Sequence, residues 1–265
     1  MMAIRQFNYG RNRRGRVSIA AERFLYSALT LSILMQIAFL FNHNPKLILA
    51  SNIFAATFAL SHAQLAYAKR YFWSYLTFTL FIGLTIERIS LSTGWPFGDV
   101  TYNHLGYAIF GVPLLVLVFW LASLHPLLIM ARKIAPNWVL VSGGAVVTAY
   151  ALFFDQLLTA NKFKIWHFNS AHIPFQTHIP LDNVIGWLFV GVLYFGLANF
   201  ILPKERRKIS AGIASVDIFL VWTWIYNVLA NLFFFGKQGT ALIGGLVYGA
   251  LLAYYLTKRY LGSPN

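Results

Sequence analysis

Four of the seven carboxylates in this chain stand beside two polar, aromatic stretches that interrupt otherwise apolar sequence. They are Glu87 and Asp99 around the first stretch, and Asp155 and Asp182 around the second. Glu87 follows a long apolar run and Asp155 directly follows Ala-Leu-Phe-Phe, so both are expected in surroundings that penalise a negative charge. A carboxyl group in such surroundings keeps its proton or takes a partner. Residues of this type are suited to general acid–base catalysis.

Each of these carboxylates also has a purely structural interpretation. Asp99 and Asp182 precede apolar runs, and an aspartate in that position commonly caps the next helix. Glu87 could be neutralised by Arg88 or Lys162. Both interpretations stay open from the sequence alone, and all four carboxylates are candidate catalytic residues.

The same two stretches are rich in aromatic residues, which make up 17% of the chain. A belt of rings at the membrane interface explains many of them. The alternative is a pocket that holds an apolar substrate and presents ring faces to a developing positive charge. The candidate substrate-binding residues are Trp95, Phe97, Tyr102, Trp166, Asn183 and Trp187.

The sequence predicts neither a metal centre nor a bound cofactor. His167, His172 and His178 are five and six residues apart, whereas ligands on one helical face recur every three or four residues. The chain has no cysteine, which excludes thiolate ligands and a cysteine nucleophile. A phosphate-binding loop and a dinucleotide fingerprint are also missing from the sequence.

Composition indicates which elements must carry these residues. The chain is 58% hydrophobic and only 11% charged, which is typical of a protein surrounded mostly by lipid. Its apolar runs are long enough for the roughly 20 residues that a helix needs to cross the hydrocarbon core. We therefore predict an all-α polytopic integral membrane protein with eight spans, at residues 24–41, 47–67, 72–90, 105–131, 138–158, 184–202, 213–235 and 241–257.

The formal net charge of +14 indicates orientation rather than a nucleic-acid partner, because the basic residues lie at the ends of apolar runs. With a cytoplasmic N-terminus, 16 of the 21 Lys and Arg residues fall in cytoplasmic segments. We predict both termini in the cytoplasm, residues 1–23 as a basic tail, and residues 24–260 as one transmembrane domain in the cell membrane. The loops at 94–102 and 161–183 then share the extracytoplasmic side, where they can meet.

An ordered set of motifs resembles the carotenoid biosynthesis family of membrane hydratases. The set comprises TGWPFGDVTYNHLG (93–106), GVPLLVLVFW (111–120), Asp155, Trp166 and IPLDNVIGW (179–187). The resemblance covers roughly residues 75–200. The chain departs from the family pattern at Ser90, where glycine is usual, and at Val100, where tyrosine is usual.

This resemblance implies an enzyme that adds water to the terminal double bond of an acyclic carotenoid, giving a tertiary alcohol without a redox cofactor. Its partners would be a hydrophobic polyene, water and membrane lipids, and its site would lie near the extracytoplasmic face. We expect Glu87 or Asp155 to act as the acid, and Asp99 or Asp182 to place the water. Two alternatives stay open: a membrane carrier for a lipid or small solute, and another carotenoid end-group enzyme such as a cyclase or isomerase.

Overall fold

Helices make up most of the described chain, as the apolar runs predict. The computed structural model describes residues 18–67, 69–167, 171–204 and 213–262. Within them the helices are α1 (Ile19–Asn42), α2 (Pro45–Ala66), α3 (Lys69–Thr93), α4 (Leu114–Ile134), α5 (Val139–Ala160), α6 (Leu181–Ile201), α7 (Ile213–Leu229) and α8 (Gln238–Tyr260). A π-helical turn, Ala230–Phe234, continues α7. The predicted all-α membrane fold is confirmed.

Seven of these helices, all except α3, are long and apolar enough to cross a membrane. The 25-residue α3 is equally long but carries Lys69, Arg70, Glu87 and Arg88. It packs against α2, α4 and α6, so it is an integral part of the helical core. Its length also suits a transmembrane span. The cytoplasmic location of both termini stays a prediction.

Two predicted helix starts differ from the observed ones by more than three residues. The first helix begins at Ile19 rather than at residue 24, and the Ser18 hydroxyl accepts from the Ala21 amide as its N-cap. The predicted tail thus reaches into α1, and its residues 1–17 lie outside the described residues. The fourth helix begins at Leu114 rather than at residue 105, after a short hairpin.

The hairpin before α4 explains that difference. Phe110 and Gly111 have positive φ angles of 50° and 82°, as in the tight turn of a two-residue hairpin. Pro113 then occupies the N-cap position, where its missing amide hydrogen is no loss. The residues between 105 and 113 are apolar enough to suggest a helix, but the chain turns there and forms the hairpin instead.

The loops contain three short pairs of antiparallel strands. The strands are β1 (Val100–Tyr102), β2 (Ala108–Ile109), β3 (Val112–Pro113), β4 (Lys164–Trp166), β5 (His172–Ile173) and β6 (Gln176–Pro180). The pairing of β1 with β4 sets Val100 opposite Trp166 and Tyr102 opposite Lys164. The prediction that the two polar loops meet is therefore confirmed.

Glycines allow α6 to lie close to its neighbours. A Cβ atom at Gly191 would collide with the Val147 side chain of α5. A Cβ atom at Gly186 would collide with the carbonyl oxygen of Pro96, in the loop that follows α3. The second contact sets this loop directly against the helix that carries Trp187.

The buried face of α3 is polar at intervals of about four residues, which places these side chains along one side of the helix. Its buried residues include Tyr71, Tyr75, Thr79, Glu87 and Ser90. The Tyr75 hydroxyl donates to the Leu121 carbonyl of α4, at 2.8 Å, and accepts from the His125 amide, at 3.1 Å. The hydroxyl therefore bridges a backbone carbonyl and a backbone amide that lie one helical turn apart in α4, directly before Pro126.

Candidate active site

Glu87 lies on the buried face of α3, with only 2% of its surface exposed. Its Oε2 atom accepts a 2.9 Å hydrogen bond from the Tyr102 hydroxyl of β1. Its Oε1 atom accepts a 2.9 Å hydrogen bond from the indole nitrogen of Trp120 on α4. Both donors are neutral, and within the described part of the chain no lysine or arginine forms an ion pair with Glu87.

Asp155, on α5, is equally buried but has different partners. The Lys164 ammonium of β4 lies 2.7 Å from its Oδ1 atom. Its Oδ2 atom accepts from the Asn183 side-chain amide at 2.8 Å and from the Trp187 indole at 2.6 Å, both on α6. Three donors, one of them a cation, therefore contact the two oxygens of this carboxyl group.

Lys164 is held among aromatic rings as well as by Asp155. Its side chain is only 3% exposed. The ammonium nitrogen lies 4.3 Å from the ring centroid of Trp166, 5.7 Å from that of Phe97 and 5.9 Å from that of Tyr102. Cation–π attraction therefore adds to the ion pair in holding this side chain inside the protein.

A narrow cavity of about 20 Å³, here called the first chamber, joins the two carboxyl groups. Its polar lining comes from Glu87, Tyr102, Ser123, Asp155 and Lys164. The remaining lining is apolar or aromatic and consists of Val116, Phe119, Trp120, Leu124, Val147, Tyr150, Ala151, Phe154, Leu158 and Trp187. An apolar pocket with a few convergent polar groups is the usual form of a small-molecule site.

Tyr102 serves as a neutral donor at this site. Burial, together with the neighbouring Glu87 carboxyl group, raises the pKa of the Tyr102 phenol well above its usual range. The phenol therefore stays protonated at physiological pH. It can therefore donate to Glu87 throughout that range.

The structure brings most of the predicted site residues together. Glu87, Asp155, Tyr102 and Trp187 line the first chamber. Asn183 binds Asp155 directly. Two further rings lie next to these groups: Phe97 packs on Trp187 with 4.7 Å between ring centroids, and Trp166 packs on the Lys164 ammonium.

Three predicted site residues lie elsewhere. Asp99 and Asp182 are exposed and do not line the first chamber. Neither caps the following helix, because Asp99 precedes β1 and Asp182 already lies in the first turn of α6. Trp95 is 55% exposed and packs its ring on Phe189.

Sequence reasoning missed Lys164 and Trp120. Lys164 was assigned to an extracytoplasmic loop, and Arg88 or Lys162 was expected to neutralise Glu87. Both of those are exposed, while Lys164 is the buried cation and pairs with Asp155. Trp120 lies within an apolar run, where a ring that binds a carboxylate cannot be told from one that faces lipid.

Comparison with known proteins assigns the family. A family model described as "Carotenoid biosynthesis protein" matches residues 44–253. The chain therefore belongs to the carotenoid biosynthesis protein family, as the motifs predict. The matched region includes every residue that lines the first chamber.

Two individual relatives are distant. The chain is 29% identical to a bisanhydrobacterioruberin hydratase of Haloarcula japonica, over 67% of this chain and 63% of that protein. It is also 29% identical to a probable potassium transport system protein Kup of Brucella anthropi, over only 31% of this chain and 11% of that protein. The chain thus spans less than two thirds of the length of either relative. No solved structure matches the chain.

Proposed function

We propose that this protein hydrates the terminal isopropylidene double bond of an acyclic carotenoid. The observation that carries the proposal is the pair of buried carboxyl groups on one aromatic cavity, held by different kinds of donor. Two such groups in unlike surroundings can take the two opposite roles of acid and base. The name of the Haloarcula japonica relative is consistent with this reaction.

Glu87 is the proposed acid. It is buried, both of its hydrogen-bond donors are neutral, and within the described residues no lysine or arginine forms an ion pair with it, so it is the carboxyl group placed to carry a proton to the substrate. Its proton passes to the less substituted carbon of the double bond, and the new C–H bond leaves a tertiary cation. The rings of Trp120, Trp187 and Tyr102 line the same chamber and can stabilise this cation through their faces.

Asp155 is the proposed base. It pairs with the Lys164 ammonium, and as a carboxylate it can accept a proton from water as the water oxygen bonds to the cation. The Oδ1 atom of Asn183, next to Asp155, is buried and has no hydrogen-bond partner within the described residues, so it can orient that water. The exposed Asp99 and Asp182 have no part in this scheme.

The proposed reaction balances without an oxidant or reductant. One C–H bond and one C–O bond form, one π bond breaks, and water supplies both the hydrogen and the hydroxyl. Glu87 loses a proton and Asp155 gains one in each turnover, so a proton must return before the next. Lys164 and Tyr102 lie between the two carboxyl groups and can support that return through water.

A second chamber lies beside the first. It has a volume of about 40 Å³ between α1, α2, α4, α5 and α7, and shares Tyr150 and Phe154 with the first chamber. We propose that both chambers widen as the substrate enters, so that the reacting end lies in the first chamber and the polyene passes these two rings. The helices around both chambers are apolar outside, which suits a substrate that arrives from lipid.

Expression in a host that accumulates an acyclic carotenoid such as lycopene tests the proposal. Mass spectrometry should show a gain of one water for each hydrated end, and it should be absent when the empty vector is used. A product of unchanged mass but altered retention would indicate a cyclase or isomerase instead. Unchanged pigment together with altered lipid or solute distribution would indicate a carrier.

We also propose that the β1–β4 loops lie at the extracytoplasmic face of the cell membrane, with both termini in the cytoplasm. The distribution of lysine and arginine supports this orientation. A reporter that is active only in the cytoplasm, fused after α8, should be active. Activity of a periplasmic reporter at that position would reverse the orientation.

A further inference from the structure

The side chain of Lys164 separates two unlike spaces. On one side is the first chamber, and on the other is a pocket of about 450 Å³ that opens at the protein surface. We call this pocket the vestibule. Its walls include Gln156, Ala160, Lys162, Lys164, Trp166 and Lys237. Lys164 lines both spaces, so the vestibule ends where the ion pair with Asp155 begins.

The vestibule is positively charged. Lys162 and Lys237 line it beside Lys164, and its lining contains no carboxylate within the described part of the chain. Asp155 neutralises Lys164, so the other two ammonium groups dominate the local field. A field of this sign repels cations and does not oppose the entry of a neutral molecule.

Gln156 gives the inner end of the vestibule a hydrogen-bonding group. It follows Asp155 on α5 and is only 3% exposed. Its Oε1 atom is buried and has no hydrogen-bond partner among the described residues. Buried polar atoms of this kind are commonly satisfied by water.

We propose that the vestibule is the route by which water reaches Asp155, and that Lys164 and Trp166 form the partition between water and polyene. The inference rests on the proposed hydration, in which water is the second reactant. A polyene that fills the two chambers covers the apolar side of Asp155, so water must come from the side of Lys164. The Trp166 ring, 9% exposed and stacked on the ammonium, prevents larger solutes from passing.

Cysteine labelling tests the route without any carotenoid, because the chain has no cysteine of its own. Single variants Gln156→Cys, Ala151→Cys and Ala149→Cys are expressed in membranes. Each is treated with an anionic methanethiosulfonate and with its cationic trimethylammonium counterpart. Gln156 lines the vestibule, Ala151 lines the first chamber, and Ala149 is fully buried in α5 away from both.

We expect Gln156→Cys to react, several-fold faster with the anionic reagent than with the cationic one. Ala149→Cys should not react, and Ala151→Cys should react only when combined with Trp166→Ala, which opens the partition. Protection of Gln156→Cys equal to that of Ala149→Cys would overturn the route. The route would also be overturned if Ala151→Cys reacted as fast as Gln156→Cys while Trp166 was intact. Water would then reach the first chamber by a different path.

A blocking variant connects the route to turnover. Ala160→Trp places a large ring in the vestibule, and Ala171→Trp places the same ring on a nearby exposed position outside it. Hydrated product should form several-fold more slowly with Ala160→Trp and at the normal rate with Ala171→Trp. Unchanged turnover in an Ala160→Trp protein that no longer labels at Gln156→Cys would overturn the inference. If the unaltered protein makes no hydrated carotenoid, the proposed function fails while the labelling results stand.

Discussion

The indole nitrogens of Trp120 and Trp187 donate to different carboxyl groups, while their rings lie 5.6 Å apart. Trp120 binds Glu87 and Trp187 binds Asp155. The two halves of the site are therefore connected through a contact between the rings that orient them. A shift of either ring changes the position of both carboxyl groups relative to a substrate between them.

Replacing Glu87 by glutamine should abolish hydration. The amide has nearly the same shape but cannot donate a proton strong enough to protonate an alkene. Carotenoid from cells that express Glu87→Gln should carry no added water, with the protein still present in the membrane fraction. Asp99→Asn is the matched control, because Asp99 is an exposed carboxylate outside the chamber, and it should hydrate normally. Loss of activity in the control with retention in Glu87→Gln would reverse the assignment.

Trp120→Phe should slow hydration and leave substrate binding nearly intact. The phenyl ring keeps the apolar wall, but the hydrogen bond to Glu87 is lost. One such bond is worth roughly 1 to 3 kcal/mol, which corresponds to about a tenfold or hundredfold decrease in rate. Product formation per hour and carotenoid retained on the purified protein measure the two effects separately. Equal loss of both would show that Trp120 serves only to build the chamber.

The ion pair between Asp155 and Lys164 should show strong coupling in stability. Removing one partner leaves a buried charge without compensation, which costs about 3 to 5 kcal/mol. Asp155→Leu and Lys164→Met should each lower the thermal unfolding temperature in detergent. The double variant should unfold at a higher temperature than either single variant, because both buried charges are gone. Additive losses would mean that the two residues do not interact.

Tyr102 predicts a specific loss of stability at high pH. The pKa of this phenol is raised in the folded protein, whereas in the unfolded chain it is about 10. Its contribution to the free energy of unfolding is therefore complete below about pH 10. This contribution is lost as the pH rises further, because only the unfolded chain then releases the phenol proton. Between about pH 8 and about pH 11, the unfolding temperature should fall more for the unaltered protein than for Tyr102→Phe. A larger fall for Tyr102→Phe would contradict this sign.

Gly186→Ala should disturb the site through the loop between α3 and β1. The added methyl group collides with the Pro96 carbonyl and meets the Phe97 ring at 3.0 Å, so the loop must move away from α6. Phe97 packs on Trp187, and we expect lower hydration with a modest loss of stability. Gly196→Ala on the same helix is the control, because its nearest contact is an ordinary 3.5 Å. Activity equal to that of the control would show that the loop tolerates displacement.

The helices and the two buried carboxyl groups could be predicted from sequence because both follow from the cost of burial. An apolar run of sufficient length has few alternatives to a transmembrane helix. A carboxylate at the end of such a run, such as Glu87 or Asp155, requires a partner or a proton. The distribution of lysine and arginine added the expectation that the two loops lie on one side and can meet, and the pairing of β1 with β4 brings them together.

The partners of these carboxyl groups could not be predicted, because they depend on packing between distant segments. Lys164 is nine residues after Asp155. Its ammonium reaches Asp155 because the chain turns after α5 and β4 pairs with β1 close to that helix. Trp120 is 33 residues after Glu87, and its ring direction depends on the rotation of α4. Asp99 and Asp182 satisfied the same residue-type criterion as Glu87, but strand and helix geometry directs them outward.

The hydroxyl of Tyr75 has a consequence for Trp120, one residue before Leu121 on α4. By bridging Leu121 and His125, this hydroxyl anchors the backbone of α4 to α3 at a fixed azimuth. Trp120 of α4 then faces Glu87, which lies on α3 about three turns after Tyr75. Tyr75 thus sets the direction of the Trp120 side chain without contacting it. Tyr75→Phe should weaken the acid's hydrogen bond from a distance, and second mutations at Trp120 should add little to its effect.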